Sequence, residues 1–318
     1  MQNSGQKEIL SIVVPVCNEE DTIQIFFDAI QEVSLDILVE FLFVDDGSTD
    51  GTLSLLRNLS KKNSAVSYIS FSRNFGKDAA IYAGMKQSRG DFVAIMDVDL
   101  QDPPELLPEM LASVKTGKYD SVGTRRSNRS GEGRVRSWFS VQFYKLINKM
   151  SETQLVYGVR DFRVMNRQMV NGILQLCENQ RFSKGIFAWV GFRTKYIPYE
   201  NHKRVAGNSS WTFVELFKYA VEGIVSFSTV PLTIVALIGL ITFFLSVMAG
   251  IFIVIRALVS NTSVAGWPSM VTIILFIGGL QMLSIGVIGR YLSAIFIESK
   301  HRPIYIAKEI HHSSRFIQ

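Results

Sequence analysis

Short apolar runs alternate with polar breaks along the first third of the chain. Leu10 to Val16, Val39 to Val44, Val66 to Phe71 and Phe92 to Met96 are rich in β-branched and aromatic residues, the pattern of buried strands. Between them, Glu19 to Val33 carries Ile23, Phe26, Phe27 and Ile30 at helical spacing. Thr52 to Leu59, Lys77 to Gln87 and Glu105 to Lys115 read as further helices, the first preceded by a turn from Asp45 to Gly51 rich in N-cap residues. This alternation predicts an α/β domain with a Rossmann-like, mostly parallel sheet covered by helices on both faces. Ligands of such sheets bind beyond the carboxyl ends of the strands, where Asn18-Glu19, Asp45-Asp46, Ser72-Arg73-Asn74 and Asp97-Val98-Asp99 all fall.

The last third has a different pattern. No charged residue occurs from Gly223 to Ile255, and after Arg256 none occurs from Ala257 to Gly289. About 20 apolar residues suffice to cross a bilayer, so the direct expectation is two transmembrane helices, at 226–255 and 268–297. The competing expectation, two buried core helices, has to explain so long a stretch without charge. Trp211 to Val225 places Phe213, Phe217, Val221 and Ile224 on one face and Glu215, Lys218 and Glu222 opposite, which reads as an interfacial helix. The chain thus divides into an α/β domain (1–210), an interfacial helix (211–225), a two-helix membrane unit (226–299) and a cytosolic tail (300–318). Basic residues before the first span and after the second, including Lys300, Arg302, Lys308 and Arg315, predict a multi-pass protein of the inner (plasma) membrane with both termini cytosolic. Gly278, Gly279, Gly286 and Gly289 permit close helix packing and fit a homo-oligomer. Arg290 reads as a snorkelling anchor, with a lipid-phosphate contact as the alternative.

With 318 residues and a net charge of +5, bulk properties narrow the picture only a little. The two cysteines, Cys17 and Cys177, provide no disulfide framework and lack metal-ligand neighbours, in keeping with a reducing cytosolic face. The polar segment Met1 to Glu8 does not resemble a signal peptide.

Candidate chemistry concentrates after the fourth strand. In an extended segment residues two apart face the same way, so Asp97, Asp99 and Gln101 are expected to converge before Pro103-Pro104 stops the strand. Hard oxygen ligands of this kind suit Mg²⁺ or Mn²⁺, with the remaining ligands taken from a substrate diphosphate. The alternative is that Asp and Gln beside proline are ordinary turn formers. Neither a Gly-x-Gly-x-x-Gly turn nor a Walker lysine loop follows the first strand, leaving a metal as the neutraliser of the diphosphate. Asp45 and Asp46 can accept hydrogen bonds from a base or ribose, or can serve the turn and the N-cap. Arg125, Arg126, Arg129, Arg134 and Arg136 form either a phosphate site or a solvated basic loop that attracts anionic headgroups. Trp138, Phe139, Phe143, Tyr144 and Ile147 follow as an amphipathic, membrane-directed stretch, which argues against a nucleic-acid partner.

Four ordered motifs carry a resemblance: Pro15-Val16-Cys17-Asn18-Glu19-Glu20, Val44-Asp45-Asp46-Gly47-Ser48-Thr49-Asp50-Gly51, Ser72-Arg73-Asn74-Phe75-Gly76-Lys77 and Asp97-Val98-Asp99-Leu100-Gln101-Asp102-Pro103-Pro104-Glu105. Together they resemble family 2 glycosyltransferases of the GT-A fold. Over nearly the whole chain the likeness is to polyprenyl-phosphate glycosyltransferases: bactoprenol glucosyltransferases of the GtrB type and, more distantly, dolichol-phosphate mannose synthase. Cys17 and Val98 depart from the residues usual at those places, Tyr and Ala, and neither change removes a metal ligand.

The resemblance implies inverting transfer of a single hexose, glucose being the sugar expected, from a UDP-sugar to undecaprenyl or another polyprenyl phosphate. It places Asp97, Asp99 and Gln101 around the Mg²⁺ or Mn²⁺ ion, with Asp97 and Asp99 counted as catalytic together with Asp161. It assigns the donor to Pro15, Asn18, Glu19, Asp45, Asp46, Asn74, Lys77, Asp97 and Arg204, and the acceptor phosphate to Arg125, Arg129, Arg134 and Arg136. Asp161, in Gly158-Val159-Arg160-Asp161-Phe162-Arg163, would orient the acceptor or act as base, the alternative being a structural pairing with Arg160 or Arg163. Arg204 matches an arginine in a loop that closes over the diphosphate in relatives, whereas Ser210 stands where a lysine is usual. Glu178-Asn179-Gln180-Arg181-Phe182 lacks the Gln-x-x-Arg-Trp of processive synthases, in line with single-sugar transfer. The other readings are a different donor sugar (N-acetylhexosamine, mannose or aminoarabinose) and an inactive membrane scaffold.

Overall fold

The computed structural model describes residues 7–126, 158–199, 228–260 and 266–313, with Asn148, Val156, residues 224–225 and Arg315. Arg129, Arg134, Arg136, Arg204, the stretch 138–147 and most of the expected interfacial helix lie outside the described residues.

Four β-strand and helix pairs open the chain: β1 (Ile9–Val16), α1 (Ile23–Glu32), β2 (Leu38–Asp45), α2 (Thr52–Lys62), β3 (Val66–Phe71), α3 (Lys77–Gln87), β4 (Phe92–Ile95) and α4 (Leu107–Lys115). There follow β5 (Ser121–Arg126), β6 (Val159–Asn166), α5 (Arg167–Leu174), α6 (Ser183–Trp189) and β7 (Thr194–Tyr199). Two long helices, α7 (Val230–Ser260) and α8 (Trp267–Ser299), precede β8 (Ala307–His311). The eight strands form one sheet in the order β7-β5-β6-β4-β1-β2-β3-β8. β3, β2, β1 and β4 run parallel, as the sequence pattern predicts. β6 then enters antiparallel between β4 and β5, and β8 closes the other edge antiparallel to β3.

Strands buried on both faces feed two cores. Leu10, Ile12 and Val14 pack with Phe26 and Ile30 of α1, Leu56 of α2 and Met110 of α4 on one side. Val13, Leu42 and Val44 meet Ala80 and Ala83 of α3, with Met169 and Ile173 of α5, on the other. Gly84 permits this second layer to close, since a Cβ there would drive into the Val13 side chain. Neither Asp45 nor Asp46 caps α2: its N-cap is Gly51, which has no side chain to offer, and Asp50 one residue earlier accepts the Thr52 N–H on Oδ1 at 3.0 Å.

α7 and α8 settle the choice between spans and core helices. Their candidate spans, Val230–Ile253 and Ile273–Ser299, have mean hydropathies of 2.6 and 1.8, and 0% of either window is buried within the protein. Helices with no buried residue in these windows are not the core of the fold, and both are long and apolar enough to cross a membrane.

Residues 300–318, expected to be a tail, contain β8. Glu309 of β8 accepts hydrogen bonds from Tyr68 and from the Arg57 guanidinium, Nε at 3.1 Å. These bonds, Arg57 foremost, lower the Glu309 pKa from 4.5 to about 2. A carboxylate held below its unfolded pKa adds stability that is present above about pH 4.5 and lost as the pH falls toward 2. Glu309→Gln is therefore expected to flatten this part of an acid-unfolding curve. A variant whose acid transition tracks the wild type would show that the network contributes nothing.

Candidate active site

Strand order and register bring together residues distant in sequence. β4 ends at Ile95, opposite Arg163 of antiparallel β6. Two residues further on in each direction, Asp97 and Asp161 therefore reach the same level of the sheet edge. Lys77, the first residue of α3, enters between them. Its Nζ lies 2.6 Å from Asp97 Oδ1 and 2.7 Å from Asp161 Oδ2. Crowding by protein works against charge on the ammonium, and the Asp161 and Asp97 carboxylates more than offset this, raising the lysine pKa above its ordinary range. Burial likewise opposes ionisation of Asp161, but Lys77, with Lys184 and Arg160, holds its pKa below the usual carboxylate range. Asp161 pairs with Lys77, and among the described residues neither Arg160 nor Arg163 forms an ion pair with it.

The expected alignment of Asp97, Asp99 and Gln101 on one extended face is not what the chain does. It turns at Val98-Asp99, and Leu100 adopts φ 52°. Asp99 Oδ1 accepts the Gln101 N–H at 3.2 Å. The Gln101 side chain is carried toward the basic side, where its Oε1 accepts from Arg126 Nη2 and Arg160 Nη2, both at 3.2 Å. Alternation with period two holds only while the backbone stays extended, and a left-handed residue ends it.

A second cluster, which sequence reasoning missed, surrounds this glutamine. Arg160 Nε lies 3.3 Å from Asp102 Oδ1, and Tyr199 donates its hydroxyl to the same oxygen. Asp102 is 2% exposed, and its Oδ2 has no hydrogen-bond partner among the described residues. Burial pushes the Asp102 pKa up, against the pull of Arg160. Adjacent strand residues face opposite ways, so Arg160 serves this cluster while Asp161 serves Lys77. Arg163, also unforeseen, is buried and stacks 3.7 Å from the Phe187 ring centroid. Burial lowers its pKa to about 10. Arg125, at the end of β5, is exposed.

The loops after β1, β2 and β3 form the other rim. Asp45 is buried, with Oδ1 accepting the Ser48 N–H at 3.0 Å and Oδ2 the Ser70 hydroxyl at 2.7 Å. Asp46 accepts the N–H groups of Phe75 at 2.6 Å and Gly76 at 2.9 Å, and so clasps the loop that leads to Lys77. The approach is close: Gly47 has φ 68°, and a Cβ there would lie 2.7 Å from the Asn74 amide nitrogen. Asn18, with φ 56°, donates its N–H to Ser48 Oγ at 2.9 Å and accepts the Thr49 N–H at 2.8 Å. Glu19 donates its N–H to Thr52 Oγ1 and accepts the Thr22 hydroxyl. Asn74 Nδ2 donates to Cys17 Sγ at 3.4 Å, and Pro15 stands opposite Val44 within β1. Asn18, Asp45, Asp46 and Asn74 thus stitch three loops into one wall beside Asp97.

Among the described residues no three His, Cys, Asp or Glu side chains converge as a self-sufficient metal centre. The donor set does fit a divalent ion that completes its shell from substrate and water. Asp97 and Asp99 supply two hard oxygen donors within one turn, and Asp97 already holds a cationic group, the Lys77 ammonium.

Residues 11–174 match the profile of Glycosyl transferase family 2. The chain belongs to this family. It is 42% identical over 303 residues to the putative glycosyltransferase CsbB of Bacillus subtilis, covering 95% of this chain and 92% of that protein. It is 43% identical over 301 residues to a bactoprenol glucosyl transferase of Shigella phage SfV, covering 94% and 98%. A prophage bactoprenol glucosyl transferase homolog of Escherichia coli is 40% identical over 95% of this chain and 99% of its own length. A solved glucosyl-3-phosphoglycerate synthase of Mycobacterium tuberculosis, in complex with Mn²⁺, UDP-glucose and phosphoglyceric acid, has a TM-score of 0.46 and 22% identity over 69% of this chain and 78% of its own.

In this glycosyltransferase the profile ends with α5, so α7, α8 and β8 lie outside it. The relatives cover that part as well, over 94–95% of the chain.

Proposed function

We propose that this glycosyltransferase moves one glucose, with inversion, from UDP-glucose to undecaprenyl phosphate or another polyprenyl phosphate at the cytosolic face of the membrane. The observation that carries this is the Asp97–Lys77–Asp161 bridge, which puts a diphosphate-side carboxylate and an acceptor-side carboxylate on one cation at the edge of the sheet. The whole-length likeness to bactoprenol glucosyl transferases and the two membrane-length helices support a lipid acceptor.

Asp97 and Asp99 would hold Mg²⁺ or Mn²⁺. Gln101, proposed as a third ligand, would have to exchange its arginine partners for the ion; as it stands it bridges the acidic and basic halves of the site. The metal, when bound, supplies positive charge against the departing UDP. Lys77 adds a second positive charge beside the same diphosphate. Asp45, Asn18, Glu19, Asn74 and Pro15 would form the wall against the nucleoside, with Asp46 holding the loop that carries Asn74 and Lys77 in place. Arg125, with Arg129, Arg134 and Arg136, would receive the lipid phosphate, and Arg204 would close over the donor.

A phosphate monoester is anionic near neutral pH and can attack the anomeric carbon without a strong base. A carboxylate held ionised by Lys77 is a poor proton acceptor, so Asp161 is assigned to orienting Lys77 and the acceptor. The reaction then rests mainly on alignment and charge. We place both termini in the cytosol and expect a homo-oligomer, on the basis of the basic flanks and the glycines of α8.

The test presents purified protein with labelled UDP-glucose, UDP-N-acetylglucosamine and GDP-mannose, with undecaprenyl phosphate and Mg²⁺ or Mn²⁺. Chloroform-soluble label is expected from UDP-glucose, and to disappear with chelator. Label from another donor alone would replace the sugar, and no lipid-linked product from any donor would end the transferase reading.

A further inference from the structure

The segment that returns from the membrane helices touches the wall just described. α8 ends at Ser299 and β8 begins at Ala307, so residues 300–306 link them, with a reach of roughly 25 Å when fully extended. Within this link the Tyr305 ring stacks on Phe71 at 4.9 Å and 20°. Phe71 in turn meets Phe75 edge-on at 5.7 Å, and Phe75 is the residue whose N–H Asp46 accepts. The Ile306 carbonyl accepts the Ser72 N–H at 2.9 Å, which ties the link to the first residue of the loop bearing Asn74 and Lys77.

A second tie leaves the end of α8 itself. Glu298 Oε1 accepts the Asn179 N–H at 2.7 Å and the Gln180 N–H at 3.3 Å. The next residue, Arg181, lies 4.5 Å over the Tyr82 ring of α3. Tyr305 approaches the same Tyr82 ring at 6.5 Å. α3 is thus braced from two directions, through Glu298 at the end of α8 and through Tyr305 in the link that follows, and its first residue is Lys77.

We infer that Tyr305 and the return segment Ile304–His311 position the donor site: they set the 72–77 loop, and with it Asn74 and Lys77, so that the inner end of α8 is mechanically part of nucleotide-diphosphate binding. The inference rests on the donor reading above. Tyr305 itself is a positioning residue, acting through Phe71, Phe75 and Ser72.

The test uses full-length protein in detergent and measures UDP affinity with Mn²⁺ by calorimetry, KM and kcat for UDP-glucose, and the thermal midpoint. Tyr305→Ala is expected to weaken UDP binding and raise KM by about the same factor, fivefold or more, with kcat within twofold of wild type. Tyr305→Phe, which keeps the ring, is expected to match the wild type. Val114→Ala in α4, in the other core layer, is the control for lost stability alone. Unchanged UDP affinity in Tyr305→Ala, or an equal loss in Val114→Ala, overturns the inference and leaves the donor site standing. A wild type that binds no UDP, or an Asp97→Asn variant that binds it equally well, overturns the donor reading and this inference with it.

Discussion

Asp97→Asn is expected to lower glucosyl transfer by about 10²- to 10³-fold, the range measured when a preorganised group stabilising developing charge is removed. The substitution keeps the shape and removes the charge. Two things follow at once: the hard anionic ligand proposed for the divalent ion is lost, and Lys77 loses one of its two carboxylates, 2.6 Å away. The ammonium then rests on Asp161 alone, at 2.7 Å. Folding should be little affected, because the Asp97 side chain is 21% exposed and an amide at such a position is readily solvated. Mn²⁺ titration followed by electron paramagnetic resonance, beside the labelled transfer assay, separates these effects. A variant that transfers glucose at the wild-type rate would remove Asp97 from the chemistry.

The largest stability effect is expected from Arg160→Met. Asp102 is 2% exposed, and Arg160 is its only ion-pair partner among the described residues, Tyr199 providing one further hydrogen bond. Removing one partner of a buried pair leaves an uncompensated charge and costs about 3–5 kcal/mol. For a domain of this size that lowers the thermal midpoint by about 10 °C. Two checks identify the cause. The double variant Arg160→Met/Asp102→Asn should recover at least half of the loss, since the stranded charge is gone. The deficit of the single variant should also shrink in acid. Burial already raises the Asp102 pKa, and without Arg160 it rises further, so the folded state binds the proton more tightly than the unfolded chain and gains stability as the pH falls. An unchanged midpoint would mean that water reaches Asp102 and the pair is not structural.

The Asp102 cluster also explains why the arginines near the site are not interchangeable. Arg160 is committed to Asp102 and Gln101, while Arg125, proposed above to receive the acceptor phosphate, is exposed at the strand end. Arg163 is buried against Phe187 and cannot reach a substrate without leaving the core. Three guanidinium groups within two neighbouring strands therefore have different surroundings, set by which way each strand residue faces.

Much of this was legible in the residues. Apolar runs such as Leu10 to Val16 and Phe92 to Met96 can only be buried, and their alternation with amphipathic stretches leaves one economical arrangement, a parallel sheet between helix layers. The chemistry at the carboxyl ends of β1, β2, β3 and β4 followed, because that is where a parallel sheet opens its crevice. The two uncharged stretches likewise announced helices of membrane length. All of these are properties of contiguous segments, set by local period and by the cost of burying charge.

Other features depended on segments meeting in space. The antiparallel insertion of β6 brings Asp161 to Lys77 across 84 residues of chain, and β8 returns to Tyr68 across 241. One left-handed residue, Leu100, turned Gln101 away from Asp97 toward Arg126 and Arg160. Local periodicity determines which residues are buried and which face a strand end. Which partner a charged side chain then takes is decided by strand order and by single backbone dihedrals, and these are settled only when distant segments compete for the same few ångströms.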